Sequence, residues 1–170
     1  MISAAVAGVC ALKGPLHGGA NEETIKLMRQ FSSADQALAW TNHAIDNKTK
    51  IPGFGHRVYK HGDHRARLLE SHIAELAADR PDRYLVDVYH AIKNTVWDRK
   101  QIHMNLDYPC GLVYYYMGLP VDIYTPIFVA SRLSGWCAHI IEQYTGNRLI
   151  RPTSRYTGPA KRALVPIERR

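Results

Sequence analysis

The stretch Ile51–Arg67, IPGFGHRVYKHGDHRAR, sets the reading of the whole chain. Pro52, Gly53 and Gly55 exclude a regular helix here and let the backbone approach a ligand closely. Asp63 then supplies a helix start that runs into Leu68 and Leu69. His56 therefore sits on a bent approach to a helix N-terminus, with Arg65 in the first turn. Such a place suits binding an anion and polarising a carbonyl. A turn with a solvated basic face is the competing reading of this stretch taken alone.

Working outward, the segments on both sides read as helices separated by polar loops. Ile25, Leu27, Met28 and Phe31 give the helix that follows Asn21 its apolar side, with Asn21 as candidate N-cap and Glu22 and Glu23 in its first turn. Ser33–Asn47 is predicted helical from the capping-box spacing of Ser33 and Gln36, with Leu38, Thr41 and Ile45 on one side. Asp63–Arg80 is predicted helical with Leu69, Ile73, Leu76 and Ala77 inward. Pro81–Ile102 follows with Leu85, Val88, Ile92 and Val96 inward. His72 and His90 in these helices read as surface or packing residues. The next helix, Cys110–Met117, carries Tyr114, Tyr115 and Tyr116, which read as packing residues with hydroxyls reaching partners. Thr125-Pro126 gives N-cap and N1 signals for a helix to about Tyr144. Asn147–Arg170 is rich in Pro and Arg and is expected to wrap another surface. No alternation supports a sheet, so the predicted fold class is all-α.

Two further loops carry chemistry. In Lys13–Asn21, KGPLHGGAN, His17 is presented by glycines just before a helix. Neutral imidazole there can donate a hydrogen bond to a developing oxyanion, and a capping or core histidine is the alternative. In Asn105–Gly111, NLDYPCG, Asp107 falls in a break between two apolar helices. A carboxylate in apolar surroundings has a raised pKa and can act as a base, and N-capping is the alternative. Arg132, inside an otherwise apolar helix, is expected to be buried against an anionic partner.

Composition narrows the classes. The 170 residues are 46% hydrophobic and 22% charged, which is globular composition. Net charge is +7, with basic residues scattered and no aromatic-interleaved basic stripe. An anionic small ligand is favoured over nucleic acid. Cys10, Cys110 and Cys137 show no metal-ligand spacing, so a reduced, cytoplasmic protein without structural zinc is expected. Met1–Leu12 is apolar, but it lacks a basic leader region and is too short to span a bilayer, so it reads as a buried helix or the remnant of one, and no membrane association is expected.

Taken together, KGPLHGGANEE, PGFGHRVYKHGDHRAR, NLDYPCG, TPIFVASRLSGWCAHIIEQ and NRLIRPTSRYTGP resemble the citrate synthase family over nearly the whole chain. The resemblance implies condensation of acetyl-CoA with oxaloacetate to give citrate and CoA, a reaction of the tricarboxylic acid cycle. Propionyl-CoA would be the donor in a 2-methylcitrate synthase. It implies that His17 stabilises the enol, His56 polarises oxaloacetate and Asp107 is the base. It assigns carboxylate binding to Arg65, Arg132 and Arg151, the last reaching the partner's site in a homodimer. CoA binding would fall on Gly53, Phe54, Gly55 and Asn105. No metal or redox cofactor is implied, since the coenzyme A thioester is itself the substrate.

His64 stands where many members have proline, which should loosen the turn carrying Arg65. The implied architecture is a small helical domain, Ala20–Leu112, flanked by Met1–Gly19 and Val113–Arg170 as the C-terminal part of a large domain. The upstream part of the family's large domain has no counterpart here, so the chain corresponds to a C-terminal half. Helices such as Ile127–Tyr144 would then show apolar faces without an intramolecular partner. A catalytically silent helical fragment that associates with a partner is the alternative reading. A basic nucleic-acid module, marked by salt-dependent DNA binding, is a third.

Overall fold

A computed structural model describes residues 1–13 and 18–170. Eight α-helices occur among these residues: α1 (Ile2–Leu12), α2 (Ala20–Met28), α3 (Ala34–Asp46), α4 (His64–Glu70), α5 (Ile73–Leu76), α6 (Tyr84–Lys100), α7 (Asp107–Tyr116) and α8 (Tyr124–Thr145). The only β pairing among the described residues is one isolated antiparallel bridge, Phe54 to Met104. The fold is all-α, as the sequence indicates.

The core is built from α2, α3, α5, α6 and α7. Ile25, Met28, Leu85, Ile92, Tyr89, Tyr108 and Leu112 are fully buried in it. Each such aliphatic side chain contributes roughly 1.5–3 kcal/mol by leaving water. The predicted faces of α2 and α6 are the buried ones. On α3 the inward residues are Ala37, Thr41, Ala44 and Ile45, whereas Leu38 is 44% exposed. The small Ala37 and Ala44 let α3 lie close to α6, and Leu38 falls one position round the helix from that seam.

The α2–α7 contact is tighter still. A Cβ on Gly111 would stand 2.2 Å from Thr24 Oγ1 and 2.7 Å from the Asn21 carbonyl oxygen. Thr24 Oγ1 in turn lies 2.7 Å from Asn21 O and 3.1 Å from Asp107 O. The start of α7 is thereby fixed against α2.

Several predicted boundaries move. The segment predicted as one helix from Asp63 to Arg80 is two, broken at Ser71-His72, where the backbone bonds shorten to Leu69 O. The next helix starts at Tyr84 and ends at Gln101, which adopts the left-handed conformation with φ 53°. Gly19 rather than Asn21 is the N-cap of α2, and Asn21 is buried in its first turn. Ser33 does cap α3 by accepting from Gln36 N, but Gln36 Oε1 reaches back to Ser32 instead of Ser33. Thr125 lies inside α8, and its hydroxyl has two acceptors within reach of its single proton, Gly18 O at 2.6 Å and Glu22 Oε1 at 2.5 Å. That hydroxyl ties α8 to the entry of α2.

The tyrosine run packs as predicted. Tyr115 Oη donates to Asp82 Oδ2 at 2.6 Å, and Tyr116 Oη donates to Asp82 O at 3.1 Å. Helices α1 and α8 lie on one another, with Gly8 against the Trp136 ring. Much of their apolar surface stays open: Ile2 is 81% exposed, and Ile141 and Tyr144 are both 54% exposed. Residues 147–170 are exposed throughout, and their only helical turn is the 3₁₀ turn Ile167–Arg169.

Candidate active site

The loop between α3 and α4 is held to the segment before α7 by a short ladder. Gly55 N donates to His103 O at 2.8 Å, and Asn105 N donates to Gly53 O at 2.9 Å. Gly53 has φ +84°, and a Cβ there would stand 2.7 Å from Tyr108 Cβ. Only glycine gives both the backbone turn and the approach to Tyr108. Phe54 packs on the Tyr108 ring at 4.5 Å between centroids. Tyr108 stacks on Tyr89 and donates its hydroxyl to Tyr89 O. The loop thus rests on a buried aromatic stack rooted in α6 and α7.

Asn105 brackets the two arms of the site. Its Nδ2 donates to Gly55 O at 2.9 Å, and its Oδ1 accepts from Asp107 N at 3.0 Å. Asp107 does not lie in a break: it is the first residue of α7. A helix N-terminus favours a carboxylate in its charged, proton-accepting form.

His56 is fixed through one ring nitrogen. Nδ1 accepts from both Val58 N and Tyr59 N at 3.0 Å. The ring also stacks on Tyr59 at 4.5 Å. With Nδ1 used as acceptor, the neutral ring carries its proton on Nε2, which makes Nε2 a donor.

Arg65 is clamped by Asp63. Arg65 Nε donates to Asp63 Oδ1 at 3.0 Å and Nη2 to Oδ2 at 2.8 Å, and the Tyr59 ring lies 5.2 Å from the guanidinium carbon. Asp63 is 2% exposed. The Arg65 hydrogen bonds lower its pKa below the ordinary aspartate value, against the opposing effect of burial. The same bonds raise the Arg65 pKa, and the charges of Asp63 and Asp107 add to them. His64 does not loosen this turn: Asp63 also caps α4 by accepting from Arg65 N at 3.0 Å.

One cleft of about 1040 Å³ gathers these groups. His56, Arg65, Asp107, Asn105, Gly53, Phe54, Gly55 and Arg132 all line it. Lys13, Lys50 and Arg57 join Arg65 and Arg132, so among the described residues five cationic side chains and two carboxylates, Glu23 and Asp107, line the cleft. An anionic ligand suits that balance. Arg132 is not the buried arginine predicted from its apolar helix. It is exposed on α8, with its guanidinium 4.7 Å from the centre of the Phe128 ring. Because α8 borders the cleft instead of being enclosed, the charge stays hydrated there. Arg151 lies in the exposed C-terminal segment, away from the cleft lining. His17 lies outside the described residues.

Residues 1–153 match the family model described as citrate synthase, C-terminal domain. The chain belongs to the citrate synthase family. It is 47% identical over 168 residues to 2-methylcitrate synthase 2 of Corynebacterium glutamicum, covering 99% of this chain and 44% of that protein. It is 43% identical over 163 residues to the citrate synthase of Mycolicibacterium smegmatis, covering 96% of this chain and again 44% of the relative. Among solved structures, it superposes on the citrate synthase of Thermoplasma acidophilum with a TM-score of 0.84 and 39% identity, over 95% of this chain and 44% of that one. That enzyme was solved as a ternary complex with carboxymethyl coenzyme A and oxaloacetate. The chain therefore spans less than half the length of the citrate synthases and 2-methylcitrate synthases it matches.

Asp63 and Tyr59 were not singled out from the sequence as site residues, nor were the cleft-lining Lys13, Glu23, Lys50 and Arg57. Asp63 read only as a helix start, and Tyr59 had no signal at all. The GDHR turn was the available clue to Asp63, because an acid two residues before an arginine at a helix start can both cap the helix and grip the side chain.

Proposed function

We propose that this chain supplies the ketoacid-binding and proton-abstracting part of a citrate synthase-type acyltransferase, which joins an acyl-CoA to oxaloacetate and releases CoA. The observation that carries the reading is the convergence of His56, Arg65, Asp107 and Arg132 on one cationic cleft. Planar arginines suit two carboxylates better than lysines do. His56 Nε2–H would polarise the ketone and protonate the new alkoxide. Asp107 would take the proton from the carbon next to the thioester carbonyl. His17 would donate to the enol oxygen, so that a full enolate need not form. Attack of the enol carbon on the ketone carbon makes the new C–C bond. Water then cleaves the citryl thioester and frees the CoA thiol.

The Gly53–Gly55 backbone is proposed to approach the CoA moiety, with Asn105 shaping that wall. The chemistry calls for no metal or redox cofactor. A homodimer in which Arg151 reaches the partner's cleft belongs to the same proposal, as do a cytoplasmic location and the division into Met1–Gly19, Ala20–Leu112 and Val113–Arg170. The open apolar faces of α1 and α8 support association with further protein surface. Among the described residues no helix is long and apolar enough to cross a membrane.

Propionyl-CoA is the second reading for the acyl donor, since the chain is 47% identical to a 2-methylcitrate synthase and 43% identical to a citrate synthase. Free-thiol release by the purified chain with oxaloacetate and either acetyl-CoA or propionyl-CoA tests both. Release that Asp107→Ala abolishes supports the enzyme, and the faster donor names it. A folded sample that releases no thiol from either donor contradicts an active site complete in this chain and favours the silent fragment.

A further inference from the structure

The Asp63 carboxylate has four donors around it and serves two separate parts of the cleft. Oδ1 accepts from Arg65 N and from Arg65 Nε, both at 3.0 Å. Oδ2 accepts from Arg65 Nη2 at 2.8 Å and also from Leu106 N at 3.2 Å. Leu106 directly precedes Asp107 and lies 43 residues from Asp63 in sequence. One buried oxygen is therefore shared between the arginine at the start of α4 and the backbone that launches α7.

We propose that Asp63 is the positioning residue of this site: it fixes the anion-binding edge of Arg65 and the start of α7, with Asp107, as one rigid unit. The inference rests on the acyltransferase reading for its catalytic consequence, but not for its geometry. A guanidinium offers two bidentate edges, and Asp63 occupies the one formed by Nε and Nη2. The terminal Nη1/Nη2 edge is the one left to grip a substrate carboxylate. Asp63 also holds the guanidinium plane near the Tyr59 ring, which stacks on His56. Substrate carboxylate, polarised ketone and proton-accepting carboxylate are thereby referred to a single buried anchor. Because that anchor is desolvated and charged, its loss is felt at both ends, which a simple helix cap would not produce.

Asp63→Asn is the informative variant, because asparagine is a good N-cap and keeps α4 started. The measurement is NMR of the 170-residue chain, following the Leu106 backbone amide and the Arg65 Nε–H. In the parent both signals are expected to move together as pH falls, with one midpoint below the ordinary aspartate value. In Asp63→Asn both lose that dependence, and the Arg65 Nε–H exchanges with water roughly tenfold faster, as expected for loss of a charge-assisted bond. Arg65→Lys, which leaves the carboxylate intact, is expected to shift the Leu106 amide because Oδ2 is released from Nη2. A Leu106 amide that moves in neither variant overturns the proposal.

Steady-state thiol release supplies the catalytic arm. Asp63→Asn is expected to raise KM for oxaloacetate and lower kcat, each about tenfold or more. A rise in KM with kcat unchanged would limit Asp63 to serving Arg65 and overturn the shared role. If the parent chain releases no thiol, an active site complete in this chain is ruled out, while the amide measurement still decides the clamp.

Discussion

Tyr59 holds His56 twice: its backbone N–H donates to Nδ1 at 3.0 Å, and its ring stacks on the imidazole at 4.5 Å between centroids. Tyr59 thus sets the plane of the histidine that lines the cationic cleft and, together with Val58 N, its tautomer. The ring belongs to the loop, so the loop carries its own orienting device, independent of the helical core.

This relationship predicts a spectroscopic signature. In the neutral ring, the ¹⁵N spectrum of His56 is expected to show an unprotonated Nδ1 and a protonated Nε2. Tyr59→Ala keeps the backbone donors and removes the stack, so the tautomer persists. Thiol release should fall by a modest factor, about 3–30. His56→Ala should cost about 10²–10⁴ in kcat, the usual weight of a positioned acid–base group. A protonated Nδ1 in the neutral ring of the parent protein contradicts the assignment.

Stability should depend on pH through Asp63. Its folded-state pKa is lowered relative to the unfolded chain, chiefly by the Arg65 hydrogen bonds. The stabilisation is therefore fully present above the unfolded value of about 4, and it is lost as pH falls through the folded value. Urea midpoints of the parent and of Asp63→Asn are expected to differ at pH 7 and to converge as pH drops below about 4. A gap that widens on acidification contradicts this sign.

Glycine replacements should separate strain from crowding. Gly53 and Gly55 both have positive φ, +84° and +77°. A Cβ on Gly55 meets only Ile102, at 3.7 Å, whereas one on Gly53 falls 2.7 Å from Tyr108 and 2.8 Å from Thr24. Gly55→Ala is expected to cost about 1 kcal/mol, from backbone strain alone. Gly53→Ala should cost about 3 kcal/mol, because the aromatic stack must also move. Chemical denaturation of both variants checks the order.

Thiol chemistry should rank the cysteines. Burial pushes the Cys110 thiol up to about 11, and Cys10 is exposed. Since the thiolate is the reactive form, an aromatic disulfide reagent at pH 7.5 should label Cys10 first and reach Cys110 only after denaturant is added. Mass spectrometry of the labelled peptides reads the order.

How far the sequence carries can be seen in particular residues. The helical class, the inward faces of α2 and α6, and the loop bearing His56 were legible because periodicity and the Pro/Gly punctuation are local signals. The cleft's membership was legible only through motif resemblance, since residues as distant as Arg65 and Arg132 come together by tertiary packing. The second job of Asp63 was not legible: the Leu106 N–H that it accepts is 43 residues away. Arg132 misled because an apolar helix suggests a buried one, while most of α8 is open to solvent. Leu38 misled for a related reason, since the small residues Ala37 and Ala44 define the α3 seam more strongly than a leucine does.

Ketoacid binding in the cationic cleft is tested most directly by calorimetric titration of oxaloacetate into the 170-residue chain, beside Arg65→Ala and His56→Ala. A cleft with Arg65 as its carboxylate ligand predicts saturable binding that weakens at least about tenfold in Arg65→Ala, the worth of a lost charge-assisted bidentate contact. The His56 variant should bind with a smaller loss, because its main contribution falls at the transition state. Binding that is unchanged in Arg65→Ala would show that the ketoacid, if it binds, does so elsewhere, and would contradict the assignment of this cleft.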